Sequence, residues 1–249
     1  MLRIVADLGN TRLKWARLDE AGQLTPSSAL PPNDPLAWEA LWDDWHRHEH
    51  EPSWWAVASV NPPVADRLAS FLEGRGVSQV VWYETAEEVP IMMDVEGADT
   101  GGADRALAVL AARARMPRGQ PGLVVSCGTA ITIERVSAAG VWQGGVIAPG
   151  LFLGARALHL LTAQLPLIHP DQSAPFWGRG TLDSLEAGVF WGAVGAVREL
   201  LARQTFEGGE QPWIIWTGGD AERLAPQVSG ADARIIQDMV LRGLVLAAF

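Results

Sequence analysis

The chain has 249 residues, of which 29 are acidic and 19 basic, and its formal net charge is −10. This acidity argues against binding of nucleic acid or an anionic membrane through the overall electrostatic field, although it leaves room for a small basic pocket for a phosphorylated ligand. Hydrophobic residues make up 48% of the sequence, which excludes a disordered chain, and the single cysteine, Cys127, excludes an internal disulfide framework or a cysteine-based zinc site. A reducing cytoplasm fits this cysteine content, and the length fits one large domain or two of about 100–150 residues.

The sequence gives no sign of a targeting or membrane-spanning segment. The apolar run after Met1 reaches the charge of Asp7 too early for a signal peptide. No stretch approaches the roughly 18–20 apolar residues of a transmembrane helix. The twelve tryptophans are predicted to pack helices against the core rather than to form a stacking surface.

The first half of the sequence alternates predicted strands and helices. A strand that ends at Ala6 leads into a polar turn over 7–11, and the next strand closes at a second turn. This strand–turn–strand opening differs from the strand–loop–helix opening of a dinucleotide-binding fold. The hydrophobic patterns predict strands at 2–6, 13–18, 55–60 and 77–82, and helices at 36–50, 64–74 and 106–115.

The same opening recurs in the second half, where a strand at 123–125 leads into the turn from Ser126 to Ala130. The repeat distance is about half the chain, and such internal duplication predicts two similar lobes with a cleft between them. We therefore expect an N-terminal lobe over 1–116 and a C-terminal lobe over 117–249, with the last helix able to pack back on the first lobe. Further strands are predicted at 131–136, 141–143 and 213–216, and helices at 154–165, 181–205 and 240–248.

The first polar turn, from Asp7 to Lys14, has the composition of a phosphate-binding turn. Gly9 allows close approach of the backbone to phosphate, and the short side chains of Asn10 and Thr11 add hydrogen-bonding groups. Lys14 is the only lysine of the chain and supplies a mobile positive charge. Asp7 suits Mg²⁺, which favours carboxylate oxygens and water. The alternative is an ordinary hairpin with a surface lysine.

Three further glycine-containing stretches repeat parts of this pattern. The turn Gly128-Thr129-Ala130 combines glycine with a hydroxyl group and could bind phosphate, although a strand-end turn with capping hydroxyls explains it equally well. The pairs Gly144-Gly145 and Gly218-Gly219 follow strands, where an adenine or ribose could lie against bare backbone.

Asp104 and Arg105 stand at the predicted start of a helix after two glycines. They could act as a general base and an anion clamp, while helix capping is the alternative. The alternating histidines His46, His48 and His50 do not share one face of a helix, so a solvated helix end is favoured over a metal site.

In their order along the chain, these motifs resemble the type III pantothenate kinases, a family also known as Bvg accessory factors. The resemblance spans nearly the whole chain. The matching motifs are Asp7-Leu8-Gly9-Asn10-Thr11 with Lys14, Gly102-Ala103-Asp104-Arg105, Gly128-Thr129-Ala130-Ile131-Thr132, Gly144 to Gly150, Gly180-Thr181, and Thr217 to Ala221.

The resemblance implies an α/β fold with two duplicated ribonuclease-H-like lobes, of the acetate and sugar kinase, Hsp70 and actin superfamily. It also implies ATP-dependent phosphorylation of the primary hydroxyl of pantothenate, the first step of coenzyme A biosynthesis. The expected cofactors are Mg²⁺ and a monovalent cation, K⁺ or NH₄⁺. The expected assembly is a cytoplasmic homodimer that binds neither nucleic acid nor membrane.

The resemblance also assigns roles to individual residues. Asp104 is the expected general base, Asp7 the expected Mg²⁺ ligand, and Ser126 stands at the monovalent-cation position. ATP is expected to contact Asp7, Leu8, Gly9, Asn10, Thr11, Arg12, Leu13, Lys14, Thr129, Gly218 and Gly219. Pantothenate is expected to contact Gly102, Ala103, Asp104, Arg105 and Thr181, the last near the dimer interface.

The chain departs from the family pattern at four places. Ser126 replaces an aspartate that is the family's monovalent-cation ligand, so one negative charge is missing there. Glu134 replaces a second aspartate, Ala106 replaces an aromatic residue, and no tyrosine lies between Val95 and Thr100. These changes leave three hypotheses: an active pantothenate kinase with altered cation dependence, a regulatory protein that retains the ATP site, or a kinase for another small hydroxyl acid.

Overall fold

A computed structural model of the protein describes residues 1–46, 52–170, 174–204, 206 and 209–249. These residues form two compact units, one made of residues 1–115 and 238–249 and the other of residues 116–237. No helix in the described part of the chain is both long and apolar enough to cross a membrane.

The first unit contains a five-stranded sheet in the order β3-β2-β1-β4-β5. The β1–β2 and β2–β3 pairs are antiparallel, whereas β1–β4 and β4–β5 are parallel. The strands are β1 (Leu2–Leu8), β2 (Leu13–Arg17), β3 (Ser28–Leu30), β4 (Ser53–Ser59) and β5 (Gln79–Tyr83).

Tryptophans form much of the core of the first unit. Trp15, Trp38 and Trp55 are almost completely buried, and the rings of Trp15 and Trp55 meet edge to face with centroids 5.1 Å apart. Such aromatic pairs add to the large hydrophobic area that each ring removes from water. The predicted packing role is confirmed for these residues, whereas Trp177 of the second unit is 72% exposed. The helices of the first unit are α1 (Pro35–His46), α2 (Pro62–Glu73), α3 (Ala103–Arg113) and α7 (Met239–Ala248).

The second unit contains a four-stranded sheet in the order β8-β7-β6-β9. The β6–β7 and β7–β8 pairs are antiparallel and the β6–β9 pair is parallel. A single parallel bridge joins Trp216 to Ile235 beyond β9. The elements are β6 (Gly122–Cys127), β7 (Ala130–Val136), β8 (Trp142–Pro149), β9 (Trp213–Thr217), α4 (Leu151–Leu161), α5 (Thr181–Ala202) and α6 (Ala221–Ser229).

The two sheets repeat one topology. The order and sense of β3-β2-β1-β4 in the first unit are those of β8-β7-β6-β9 in the second. The predicted duplication of a strand–turn–strand unit is therefore present as two sheets with the same connectivity.

Several predicted boundaries were wrong. The helix predicted at 154–165 is α4 and begins three residues earlier, and β3 and α6 were not predicted. The strand predicted at 141–143 is β8 and continues to Pro149, because Gly144 adopts a φ of 78° beside an irregularity in the β7–β8 register. Residues 47–50 of the helix predicted at 36–50, and Thr205 of the one predicted at 181–205, lie outside the described residues.

The last helix, α7, belongs to the first unit, which is the packing that the prediction allowed for it. It packs on α3 at Gly243, where a Cβ atom would overlap the carbonyl oxygen of Leu107. Leu241 and Leu244 are fully buried on this helix. The close approach of two helices at a glycine explains why α7 packs with the first unit.

Candidate active site

The first predicted phosphate turn connects β1 to β2 in the first unit. Asp7 lies within β1 and pairs with Lys14 of β2, and the neighbouring pair is Leu8 with Leu13. The Gly9 N–H donates to the Arg12 carbonyl oxygen at 3.1 Å and closes the turn. Asn10, Thr11 and Arg12 are exposed at the tip of this turn.

The electrostatic environment of Asp7 links it to the other expected site residues. Its carboxyl group is enclosed by protein atoms, although the residue keeps some solvent exposure, and this burial raises the pKa of Asp7 from 3.8 to about 7. The Asp104 carboxylate raises this pKa further, Lys14 lowers it, and Asp238 adds a smaller increase. Asp7 therefore lies among carboxylates whose repulsion a bound cation would relieve.

Asp104 lies in the first turn of α3, at the helix end that favours negative charge. One of its oxygens, Oδ1, accepts a hydrogen bond from the Arg105 N–H at 2.8 Å. A Cβ atom on Gly102 would lie 2.6 Å from this oxygen and 3.2 Å from Cγ1 of Val60. The glycine therefore leaves the space that the Asp104 carboxylate occupies. Ala106 is completely buried on the same helix.

The second turn connects β6 to β7 in the second unit. Ser126 pairs with Thr132, and the next pair is Cys127 with Ile131. The position of Ser126 in its strand pair is thus that of Asp7 in the first unit. The Gly128 N–H donates to the carbonyl oxygen of Ala130 at 3.0 Å and closes this turn.

Glu134 is completely buried in β7. Its Oε2 accepts a hydrogen bond from the indole N–H of Trp142 at 3.0 Å. Gly145 lies opposite Glu134, and a Cβ atom there would overlap the carbonyl oxygen of Ile133. The structure therefore places Glu134 inside the β7–β8 pair, bonded to a core tryptophan.

The first glycine of the Gly218-Gly219 pair packs on the end of β6. Gly218 has a φ of 97°, and a Cβ atom there would overlap the carbonyl oxygen of Cys127. The same carbonyl accepts a hydrogen bond from the Asp220 N–H at 3.1 Å. Burial, with a further contribution from Asp220, raises the pKa of the Cys127 thiol to about 12. The backbone geometry alone requires glycine at Gly218.

Thr181 is the first residue of α5 and is exposed. It lies in a part of the second unit that is rich in exposed apolar groups. Among the described residues from 153 to 182, eight large hydrophobic side chains are exposed, and we call them the 153–182 apolar group. They are Leu153, Leu158, Leu160, Leu161, Leu167, Phe176, Trp177 and Leu182.

The predicted site residues thus divide between the two units. The first unit contains Asp7, with Lys14 and Asp104 both within electrostatic range of it, together with Gly102, Ala103 and Arg105. The second unit contains Ser126, Thr129, Thr181, Gly218 and Gly219.

The prediction missed Asp238, which accepts a hydrogen bond from Lys14 at 2.8 Å. The two residues are 224 positions apart, and the only signal for Asp238 in the sequence is its place just before the last predicted helix.

A metal ion bound at Asp7 would be coordinated by few protein side chains. Among the described residues, no group of three or more histidines, cysteines, aspartates or glutamates could hold a metal ion. Mg²⁺ that accompanies ATP needs only one or two carboxylates, since phosphate and water oxygens complete its shell. Asp7, a carboxylate with a raised pKa beside other carboxylates, fits this requirement.

His46 does not form part of a described metal cluster. Its Nδ1 lies 2.9 Å from the carbonyl oxygen of Trp42, and its ring stacks on that of Trp42. His48 and His50 lie outside the described residues.

Comparison with known proteins gives one consistent family. The model of the type III pantothenate kinase family matches residues 3–203. A type III pantothenate kinase from Chlorobaculum parvum is 32% identical over 255 aligned residues, which cover 98% of this chain and 93% of the relative.

Solved structures show the fold. A conserved Baf family protein from Campylobacter jejuni has a TM-score of 0.56 and 21% identity, with 97% of this chain and 94% of that chain covered. The activator of the 2-hydroxyisocaproyl-CoA dehydratase from Clostridium difficile, solved with bound ADPNP, has a TM-score of 0.52 and 10% identity, with 100% and 93% covered. These likenesses show the fold, and the predicted α/β class with a duplicated sheet is confirmed.

Proposed function

The chain belongs to the type III pantothenate kinase family, and on this premise we propose that it transfers the γ-phosphoryl group of ATP to the primary hydroxyl of pantothenate. The product is 4′-phosphopantothenate, and the reaction is the first step of coenzyme A biosynthesis. The observation that carries the proposal is the group of Asp7, Asp104 and Lys14 around a glycine turn in the first unit.

Asp104 is the proposed general base. Its carboxylate accepts the proton of the pantothenate hydroxyl as that oxygen attacks the γ-phosphorus atom, and the bond from phosphorus to the β,γ-bridging oxygen of ATP breaks. No covalent intermediate with the protein is needed. The bond from the Arg105 N–H and the space above Gly102 support this role, because they fix the direction of the carboxylate.

The turn from Asp7 to Lys14 is the proposed binding site for the ATP phosphates. Bound Mg²⁺ supplies positive charge that stabilises the phosphate oxygens during transfer. Asp7 is its proposed protein ligand, while the Lys14 ammonium and the backbone N–H groups of the turn bind phosphate oxygens. The exposure of Asn10 and Thr11 supports direct contact of this turn with the ligand.

Arg105 is proposed to hold the carboxylate of pantothenate, because a guanidinium group can bind both oxygens at once. Gly102, Ala103 and Thr181 are proposed to complete the pantothenate site. Ala103 is completely buried, so we expect its backbone rather than its side chain to contribute.

The second unit is proposed to bind the rest of ATP and a monovalent cation. Thr129 would contact phosphate, and Gly218 and Gly219 would lie against the nucleoside. The Ser126 hydroxyl and nearby carbonyl oxygens are proposed to bind K⁺ or NH₄⁺ in place of the family's aspartate. We expect a weaker dependence on this cation because the serine is neutral.

A homodimer is the proposed assembly, formed through the 153–182 apolar group. Its members are exposed apolar side chains, and such side chains bind a partner where they form a contiguous surface. We expect Leu161→Glu to convert the dimer to a monomer in light scattering, and Leu246→Glu on α7 to leave it dimeric. A monomeric wild-type protein, or equal effects of the two variants, would contradict this assembly. The cytoplasm, where ATP is abundant, is the proposed location.

The deciding experiment measures ADP release from Mg·ATP with and without pantothenate, in K⁺ and in Na⁺, with mass spectrometry of the product. Pantothenate-dependent ADP release with 4′-phosphopantothenate as product supports the kinase. The neutral Ser126 favours one alternative, a regulatory relative that binds ATP without efficient turnover. Binding of ATP without phosphopantothenate in either salt would support that alternative, or a kinase for another hydroxyl acid.

A further inference from the structure

A carboxylate outside the predicted motifs holds the lysine of the first turn. Oδ1 of Asp238 accepts a hydrogen bond from Nζ of Lys14 at 2.8 Å, and Oδ2 accepts one from Oγ of Ser27 at 2.8 Å. The side chains of Lys14 and Asp238 are 27% and 17% exposed, so the ion pair is partly sheltered from water. Both oxygens of this carboxylate are therefore directed at β2 and at the residue before β3.

The backbone of Asp238 is unusual. Its φ of 60° and ψ of 38° make it the one non-glycine residue with positive φ among the described ranges. Aspartate at the start of a helix ordinarily accepts a hydrogen bond from the first helical turn, but Asp238 makes no such side-chain bond to α7. A left-handed backbone at a non-glycine residue is typical of functional sites, where the surrounding structure enforces it.

The helix that follows does not depend on this ion pair for its packing. Met239, Leu241 and Leu244 are buried, and Gly243 lies against the backbone of Leu107. The Asp238 carbonyl oxygen also accepts the Arg242 N–H at 2.9 Å, which closes the first turn of α7. The carboxylate is thus available for a role other than anchoring the helix.

We propose that Asp238 is a positioning residue for phosphoryl transfer, which holds the Lys14 ammonium in the place where it meets the ATP phosphates. The proposal rests on the proposed function of Lys14. Lysine has a long, flexible side chain, and a partner that fixes it lowers the entropy lost when ATP binds. Asp238 thereby preorganises Lys14, which lies 224 positions away in the sequence, for the binding of ATP.

The test compares Asp238→Ala in the wild-type background and in a Lys14→Ala background. The readouts are the Kd of Mg·ATP by calorimetry and the kcat and KM for ATP. In the wild-type background we expect Asp238→Ala to raise the Kd about tenfold, and in the Lys14→Ala background less than about twofold. Asp238→Asn, which tolerates the left-handed backbone and retains an oxygen acceptor, is expected to have an intermediate effect. Asp232→Asn, an exposed carboxylate before α7, is the matched control and is expected to change neither value.

An equal loss in both backgrounds would overturn the proposal, because it would show that Asp238 acts without Lys14. Tighter ATP binding by Asp238→Ala would also overturn it, since Asp238 would then compete with phosphate for the ammonium group. If Asp238→Ala does not fold, the same cycle is run with Asp238→Asn. Failure of the proposed function is seen separately, as the absence of pantothenate-dependent ADP release in a protein that still shows the coupling in Mg·ATP affinity.

Discussion

The ends of β1 and β6 occupy the same position in two copies of one sheet, but they differ in charge. In the first unit the penultimate cross-strand pair is Asp7 with Lys14, and in the second it is Ser126 with Thr132. The first strand end carries charge and the second carries two hydroxyl groups. The two strand ends thus share their backbone pairing and differ in their charge.

The surroundings of the two strand ends also differ, with side-chain charges near the end of β1 and packed backbone near the end of β6. Asp104 and Asp238 lie close enough to Asp7 to raise its pKa. At the end of β6, the carbonyl oxygen of Cys127 is bonded to the Asp220 N–H and covered by Gly218. The first end is built from side-chain charges and the second from tightly packed backbone, so substitutions are expected to act through different properties in the two units.

The largest expected effect tests whether the catalytic charge lies in the first unit. Asp104→Asn removes the proposed base, and we expect kcat to fall by about 10²–10⁴-fold while the Kd of ATP changes little. Steady-state kinetics and calorimetry measure the two quantities. The control is Asp99→Asn, an exposed carboxylate shortly before α3. Normal turnover in Asp104→Asn would remove this residue from the mechanism.

A smaller effect is expected from the glycine that makes room for this base. Gly102→Ala places a Cβ atom 2.6 Å from Oδ1 of Asp104, so the carboxylate must move. We expect kcat to fall about tenfold with little change in Tm, because a misdirected base loses part of its contribution. Gly101→Ala is the matched control, since its Cβ atom would have no contact closer than 3.4 Å. Equal losses in the two variants would contradict the positioning argument.

The stability of the ligand-free protein tests the charge at the end of β1 directly. Folding raises the pKa of Asp7 from 3.8 to about 7, so between these pH values the folded protein binds a proton that the unfolded chain has released. The free energy of unfolding should therefore fall as pH rises from about 4 to 7, with no further change from Asp7 above that range.

Asp7→Asn should abolish this fall. Between pH 5 and pH 7.5 we expect its free energy of unfolding to exceed that of the wild type by about 1 kcal/mol or more. Denaturant unfolding in the presence of a chelator measures it. Asp66→Asn, on the exposed face of α2, should follow the wild-type profile. Parallel profiles for Asp7→Asn and wild type would be inconsistent with a buried charge at this strand end.

Adding a carboxylate at the end of β6 tests the difference in charge between the two strand ends. Ser126→Asp makes the end of β6 resemble that of β1, and we expect the activation of turnover by K⁺ to increase several-fold, since a carboxylate binds a cation more strongly than a hydroxyl group. A K⁺ titration at constant ionic strength measures this, with Ser126→Asn as the uncharged control. An unchanged titration would count against a missing cation ligand.

The smallest expected effect is the reaction of the Cys127 thiol with a thiol reagent. Because its thiol is buried and has a pKa near 12, we expect no reaction with a thiol reagent at pH 8 in the native protein. Full reaction is expected in 6 M guanidinium (about the concentration that unfolds most domains). Rapid labelling of the native protein would show that the end of β6 opens.

The sequence was sufficient to predict the duplicated sheets because each begins with an apolar strand, a glycine turn and a second apolar strand. It was insufficient for β3, which has only three residues, and for α6, where Pro226 interrupts the helical pattern. The candidate residues at Asp7, Lys14 and Asp104 came from local motifs. Asp238 could not be predicted in this way, because its contact with Lys14, 224 positions away in the sequence, exists only in the folded chain.

The assignment of α7 to the first unit has a consequence for synthesis on the ribosome. Residues 116–237 form one continuous unit, whereas the other unit needs residues 238–249 to complete its set of contacts. The part of the chain made first is therefore finished last, when Leu241 and Leu244 emerge and cover α3. Until then its nascent tryptophan-rich sheet lacks one of its helices, and chaperones have longest access to this part of the molecule.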